Sequence, residues 1–319
     1  MKERVLQLDF LKGVFILLMV AFHNYVIGDG SEHISRLIYT VHMPAFLIIS
    51  GYLANVDKDV PEFGKSMLRL IVPYTIFETM YIVMIFLLGK VMNTSNQIEE
   101  LSPLVIIDKL FLNPIGTYWY IHTMIICTTV YYVVRHVLKL KDISALAVMG
   151  SALFLLSLVI GGGLKMSNVI FYLIGTAIVM SGKSFMTVIK PSVLVVVPII
   201  LLVLFSDDYS RGTLSGAMIT VLSISLLLFV FDHSAQTVKN FFAYLGRNSL
   251  AVVLFSPAFT VMSNKLIKYI SFGPFQLLFT LVSIAITIAG CMLITWISDK
   301  LGLSRLLFCK ERAYSKYGC

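Results

Sequence analysis

Charge is scarce in this chain. Only 13% of its 319 residues are Asp, Glu, Lys or Arg, against 58% hydrophobic, and the mean hydropathy is +0.90, whereas a soluble domain is about a quarter charged. An integral membrane protein with short loops follows, with no room for a soluble domain of any size beside the spans. Cysteine is also sparse: Cys127 and Cys291 fall in apolar runs and Cys309 and Cys319 in a basic tail, a spacing that fits neither a disulfide framework nor a zinc site. There is no His-Glu-x-x-His, no Cys-x-x-Cys and no carboxylate cluster, so no metal is expected. Without a Gly-x-Ser-x-Gly elbow or a Gly-x4-Gly-Lys-Ser/Thr loop, serine-hydrolase and nucleotide-hydrolase readings fail as well. The net charge of +8 comes with no basic run interleaved with aromatics, which argues against nucleic acid. No internal repeat or heptad array is present. The first apolar run lacks a small-x-small cleavage site and is expected to stay as a helix.

What is present is a series of apolar runs between charged or Gly/Pro-rich breaks, at 10–27, 37–56, 68–88, 118–134, 143–160, 168–181, 192–205, 214–231, 242–262 and 275–298. They predict an all-α integral membrane bundle of about ten transmembrane helices, a single domain over 1–319 with a tail at 299–319. The sixth and seventh runs are near the lower length limit, so that pair has a re-entrant alternative. Lys and Arg orient the bundle: with the amino terminus inside, 18 of the 25 fall on the inner side and seven on the outer. Both termini are therefore expected in the cytoplasm. The connection 90–117 is the longest external one, and its apolar stretch 104–112 suits a surface helix or a lid. Gly161-Gly162-Gly163 reads as a tight outer turn, and Asn93-Thr94-Ser95 as a chance glycosylation sequon.

Ionisable residues inside spans are costly and mark functional sites by default. Lys12 and His23 are eleven residues apart, about 20° off three full turns of one helix, so both face one way with ~16 Å between them in depth. His42 stands in His42-Met43-Pro44-Ala45-Phe46, followed by Ser50-Gly51-Tyr52, where proline frees a backbone carbonyl and glycine permits close helix approach. Glu78 lies in the third span, where it would pair with a cation of the bundle or touch substrate. Trp119, Tyr120 and His122 open the fourth span at the outer interface. An interfacial aromatic belt is the plain reading of the two rings, and acceptor binding is the functional one. His33, His136 and His233 are expected in solvated loops.

These residues resemble a family. Arg4, Asp9, Lys12-Gly13 and His23 look like the amino-terminal signature of membrane-bound acyltransferase family 3, and residues 38–52, centred on His42-Met43-Pro44, are similar to its second signature in the fucose 4-O-acetylase-like branch. Arg69 to Pro73-Tyr74, Tyr118-Trp119-Tyr120 and Leu245-Gly246-Arg247-Asn248-Ser249-Leu250 match further. The resemblance implies ten helices and transfer of an acyl group, usually acetyl from cytoplasmic acetyl-CoA, to hydroxyls of sugars. Two departures stand out: Ser256-Pro257 occupies the place where many members carry a histidine, and Ala45 replaces a bulkier residue. No esterase-like domain is expected after the tenth helix.

A sugar hydroxyl is a poor nucleophile near neutral pH, so acylation from a thioester needs a base and oxyanion donors. His23 suits the base, and His42 would orient the acceptor or polarise the thioester. Lys12 and Arg69, at the cytoplasmic face, suit the phosphates of coenzyme A. Glu78, Trp119, Tyr120 and His122 are the candidate acceptor contacts. The expectation is an O-acetyltransferase of a bacterial plasma membrane, acting among membrane lipid on a cell-envelope glycan, exopolysaccharide or lipid-linked sugar. The alternative is a glycan or acyl-unit transporter without catalysis, which would also use broken helices and polar residues at depth. The Lys12–His23 spacing and the lack of an evident repeat favour the enzyme.

Overall fold

The computed structural model describes residues 5–28, 30, 32–90, 98–140, 143–269 and 273–316, and these contain no strand. Arg4, the Asn93-Thr94-Ser95 sequon and Cys319 lie outside them. In order, the α-helices are α1 Leu6–Phe22, α2 Tyr25–Gly28, α3 Glu32–Leu53, α4 Val60–Gly89, α5 Pro103–Phe111, α6 Trp119–His136, α7 Ile143–Ile160, α8 Met166–Met180, α9 Phe185–Val188, α10 Val196–Phe205, α11 Leu214–His233, α12 Gln236–Arg247, α13 Ser249–Leu266, α14 Gly273–Lys300 and α15 Ser304–Phe308.

Local chemistry sets many of the boundaries. The Asp59 carboxylate accepts from Glu62 N at the start of α4, Ser102 caps α5 ahead of Pro103, and Thr213 caps α11 through Gly216 N, each satisfying an amide that the helix leaves orphaned. Each expected apolar run is wholly or partly helical. Among the described residues, six helices are long and apolar enough to cross a membrane: Glu32–Leu53, Val60–Gly89, Ser144–Gly163, Leu214–His233, Ser249–Leu266 and Phe275–Lys300. α8 and α10 are apolar but shorter, and the helix of the seventh run begins at Val196 rather than residue 192.

Two runs differ from their expected bounds for identifiable reasons. The first helix ends at Phe22, with His23 as its C-cap. There the Asn24 amide turns back onto Val20 O (2.8 Å) while its oxygen accepts from Ser263 (3.0 Å), and the chain restarts as α2. The ninth run is two helices, α12 and α13, parted at Asn248. The Asn248 side chain is spent elsewhere: its oxygen accepts from Ser315 N (2.8 Å) and its amide donates to Ser315 O (3.0 Å), so it pins the carboxy-terminal segment. Asp299 completes that dock by accepting from Ala313 N (2.8 Å) and Tyr314 N (3.0 Å).

Two close crossings position the site. α1 meets α12 where a Cβ on Gly13 would overlap Phe242 O and one on Gly246 would overlap Asp9 O. α3 meets α8 in the same way, with Gly51 against Tyr172 O and Gly175 against Ile48 O. Small residues let helix backbones touch, which is how helices associate where lipid is as apolar as leucine. α1 is consequently buried nearly all round, through Leu8, Phe10, Leu11, Phe15, Ile16, Met19 and Val20, whereas α14 turns Leu278, Leu281, Val282, Ile286 and Leu293 outward. One contiguous cluster of buried apolar side chains runs from Leu8 to Phe308.

The bundle has two distinct ends. At one, Arg135 pairs with Asp57 (3.0 Å), Lys58 donates to Ser66 (2.7 Å), and His136, expected in a solvated loop, reaches Val56 O (2.6 Å). At the other, Arg36 pairs with Asp208 (2.6 Å), and the 3-10 turn Gly161–Gly163 packs beneath residues 112–114.

Candidate active site

α1 and α3 bring two imidazoles together. The ring centroids of His23 and His42 are 6.2 Å apart with planes at 84°, and Tyr39 lies 5.6 Å from each. Each ring turns Nδ1 to the carbonyl one helical turn back, His23 to Met19 O (2.7 Å) and His42 to Ile38 O (2.6 Å). A carbonyl only accepts, so in the neutral rings Nδ1 carries the proton and Nε2 keeps the basic lone pair. His42 is 1% exposed, and its Nε2 is buried without a hydrogen-bond partner among the described residues. Such an atom costs about 1–3 kcal/mol, a cost that a substrate hydroxyl placed there would relieve. The surrounding backbone is fixed: Tyr39 donates its hydroxyl to Phe22 O (2.6 Å) and Asn264 its amide to His23 O (2.9 Å).

A cavity of about 340 Å³ opens toward the Lys12 end, with Lys12, Ser50, Lys58, Ser66 and Tyr120 in its wall. Phe46, one turn from His42 on α3, also lines it, with its ring 5.7 Å from Tyr120 and 6.3 Å from Phe15, so this aromatic group stands between cavity and imidazoles. Tyr120 is tied to Ser50 through their hydroxyls (2.7 Å). Lys12 is not a bare cation: its ammonium sits 2.7 Å from the Asp9 carboxylate. Asp9 occupies one of three N–H groups, which leaves two to face the cavity. Arg69 is held at the carboxy-terminal segment, where Nε donates to Cys309 O (3.4 Å), while its neighbours Ser66, Met67 and Leu70 line the cavity.

Glu78 and His122 are brought together by a different task. Glu78 is fully buried and accepts from Ile115 N (2.9 Å), His122 Nε2 donates to Phe111 O (3.0 Å), and Tyr74 donates to Leu110 O (2.7 Å). These three side chains hold residues 110–115, the end of the long connection, against α4 and α6. Each bond to a charged or neutral partner is worth roughly 0.5–3 kcal/mol, so together they fasten the segment that carries Pro114. Glu78 therefore pairs with backbone rather than with a histidine or arginine of the bundle.

Trp119 lines a second cleft of about 390 Å³ at the far end, shared with Pro114, Lys165, Asn168, Ser210 and Arg211, with its ring edge-on to Tyr120 at 6.5 Å. The Arg211 guanidinium lies 5.3 Å from the Trp119 ring centre. Sequence reasoning passed over Arg211, a lone cation in an outer loop. The signal that points to it is local: Asp208-x-Ser210 closes a turn and Gly212 leaves it with φ +97°. No group of His, Cys, Asp or Glu suited to hold a metal is found among the described residues. One opening thus carries a lysine and the other an arginine, and the two imidazoles lie in the lining of neither.

Residues 5–296 match the model of the acyltransferase domain of family 3. Nodulation protein NolL of Mesorhizobium japonicum (strain LMG 29417 / CECT 9101 / MAFF 303099) is 31% identical over 134 residues, which is 37% of this chain and 33% of that protein, so the aligned stretch spans about a third of the relative's length. No solved structure matches.

Proposed function

The chain belongs to the family 3 acyltransferases, whose model covers it from residue 5 to residue 296, and from that membership we propose that it is a membrane-bound O-acetyltransferase. It moves acetyl from cytoplasmic acetyl-CoA to a hydroxyl of a cell-envelope glycan, exopolysaccharide or lipid-linked sugar. The observation that carries this reading is the His23–His42 pair, with both Nδ1 atoms anchored and both Nε2 atoms free for chemistry. The chain acts as one unit of ten membrane helices with both termini in the cytoplasm of a bacterial plasma membrane. The lopsided Lys and Arg count and the single buried cluster support that layout.

In the proposed reaction the donor enters from the Lys12 cavity. Two ammonium N–H groups of Lys12 meet a phosphate, and Arg69 stands at the same end as a further cation. His23 lies ~16 Å along α1 from Lys12, a reach comparable with the extended arm of coenzyme A. His23 Nε2 takes the hydroxyl proton as the sugar oxygen attacks the thioester carbonyl carbon. The C–S bond then breaks, and the imidazolium returns its proton to the departing sulfur, leaving a free thiol and an O-acetyl ester. His42 Nε2 accepts from a neighbouring hydroxyl of the same sugar and so orients the ring, a role favoured over polarising the thioester because its Nδ1 proton is already given to Ile38 O. Tyr120 borders the donor cavity and Trp119 the acceptor cleft, while Glu78 and His122 shape that cleft through residues 110–115.

The test is transfer of labelled acetyl from acetyl-CoA by the purified protein in detergent, over a panel of neutral and acidic oligosaccharides. Acceptor-dependent label in the sugar supports the enzyme. Acceptor flux across proteoliposomes with no thioester consumption would establish the transporter instead.

A further inference from the structure

The outer cleft is built to take an anion. Its floor is the indole of Trp119, and its rim carries the exposed side chains of Lys165 and Arg211. Neither cation pairs with a carboxylate among the described residues. The nearest acid, Asp208, is spent on Arg36 (2.6 Å) and on the amide and hydroxyl of Ser210 (2.8 and 2.7 Å). Those bonds hold the Asp208 carboxyl below the usual carboxylate range, so it stays charged while it organises the loop. Ser215 adds a bond to Asp208 O (2.6 Å), and Gly212, at φ +97°, lets the chain turn against Ser167, where a Cβ would overlap the serine. Arg211 is therefore presented by a preorganised loop, and such a donor loses little entropy on binding.

A second, independent observation points the same way. Asn168, a side chain with both a donor and an acceptor, lines the cleft at only 6% exposure. Beside two unpaired cations it is placed to donate to one anionic oxygen while Arg211 binds bidentately, and the Trp119 face suits a sugar ring.

We propose that the acceptor is an acidic glycan whose carboxylate or phosphate is held by Arg211, Lys165 and Asn168 while the ring rests on Trp119, which places a neighbouring hydroxyl toward His23 and His42. This names the substrate class of the site and rests on the acyltransferase reading. Arg211 and Lys165 determine specificity and take no part in the proton transfer.

The experiment compares two acceptor oligosaccharides that differ only in a glucuronate in place of a glucose, in transfer and in direct binding to the detergent-purified protein by Trp fluorescence. The glucuronate form should bind and react preferentially. Arg211→Gln should raise its KM about 10- to 100-fold, the scale of one charge-assisted bond pair, with the KM for acetyl-CoA unchanged, and Arg211→Lys should recover part of the loss. Asn168→Ala should weaken binding of the glucuronate form more than that of the glucose form. Equal kinetics for the two acceptors, or equal losses for both in Arg211→Gln, would overturn the proposal while leaving the transferase intact. Arg211-dependent binding of the glucuronate form with no acetyl transfer would sustain it and remove the transferase reading. If Arg211→Gln abolishes only the association with phosphatidylglycerol vesicles, and the acidic sugar does not bind, the anion is a lipid headgroup and the proposal falls.

Discussion

Replacing His23 by alanine removes an imidazole whose local attachments are few, which makes its chemical and structural contributions separable. The side chain gives one hydrogen bond, Nδ1 to Met19 O at 2.7 Å, and is only half-buried. Its backbone oxygen, which accepts from Asn264 at 2.9 Å, survives the substitution. Losing one such bond costs about 0.5–1.5 kcal/mol, and α1 stays clamped by the Gly13–Gly246 crossing, so the fold should persist. Losing a general base costs ~10²–10⁴ in rate, or about 2.7–5.5 kcal/mol in the barrier. The chemical effect thus exceeds the structural one severalfold. The assay is kcat for labelled acetyl transfer beside a melting curve in the same detergent. A His23→Ala protein that melts near wild type and transfers acetyl at the original rate would refute the assignment and shift the base to His42. His42→Ala, in contrast, empties a site that is 1% exposed and should lower the melting temperature more.

Lys12→Ala should raise the KM for acetyl-CoA about tenfold or more while leaving acceptor KM near wild type; unchanged donor kinetics would take Lys12 out of that role. Gly246→Ala forces a Cβ into Asp9 O and should cost about 1–3 kcal/mol, the usual range for overpacking, read as a lower melting temperature; an unshifted melt would mean that α1 and α12 do not meet there. For orientation, a cysteine placed at Asn96 should react with an impermeant reagent in intact cells while Cys319 does not, and the opposite pattern would invert the topology.

Much of the bundle was legible because apolar runs and their breaks are a one-dimensional signal. The pairing of His23 with His42 was legible in outline too, since ionisable side chains in apolar runs must find a shared polar space. The misread boundaries have one cause. At Asn24 and Asn248 the helix ends where an asparagine side chain bonds groups 239 and 67 residues away, and no local pattern announces a distant partner. The partners of Glu78 and His122 were hidden for a related reason. They are the backbone of residues 111 and 115, and a backbone amide or carbonyl leaves no mark in a sequence. At Lys12, which lines the cavity, the i,i+3 neighbour Asp9 was not weighed as the counter-charge that it is.

The Asp9–Lys12 pair and the glycine crossing belong to one device. Gly246 packs on Asp9 O and Gly13 on Phe242 O, so α12 grips α1 at the turn that carries both charges and fixes where along the bundle the ammonium sits. At the other end Asn24, Ser263 and Asn264 grip the last turn, through bonds of 2.9 to 3.0 Å that involve the His23 backbone and its neighbour. A helix held at both ends cannot slide, and its rise of 1.5 Å per residue then sets the separation between Lys12 and His23, the proposed donor anchor and base. Catalysis by positioning is lost with misplacements of about 1 Å. That is a physical reason for Lys12, Gly13 and His23 to lie along one helix, with Leu245-Gly246 of α12 packed across it.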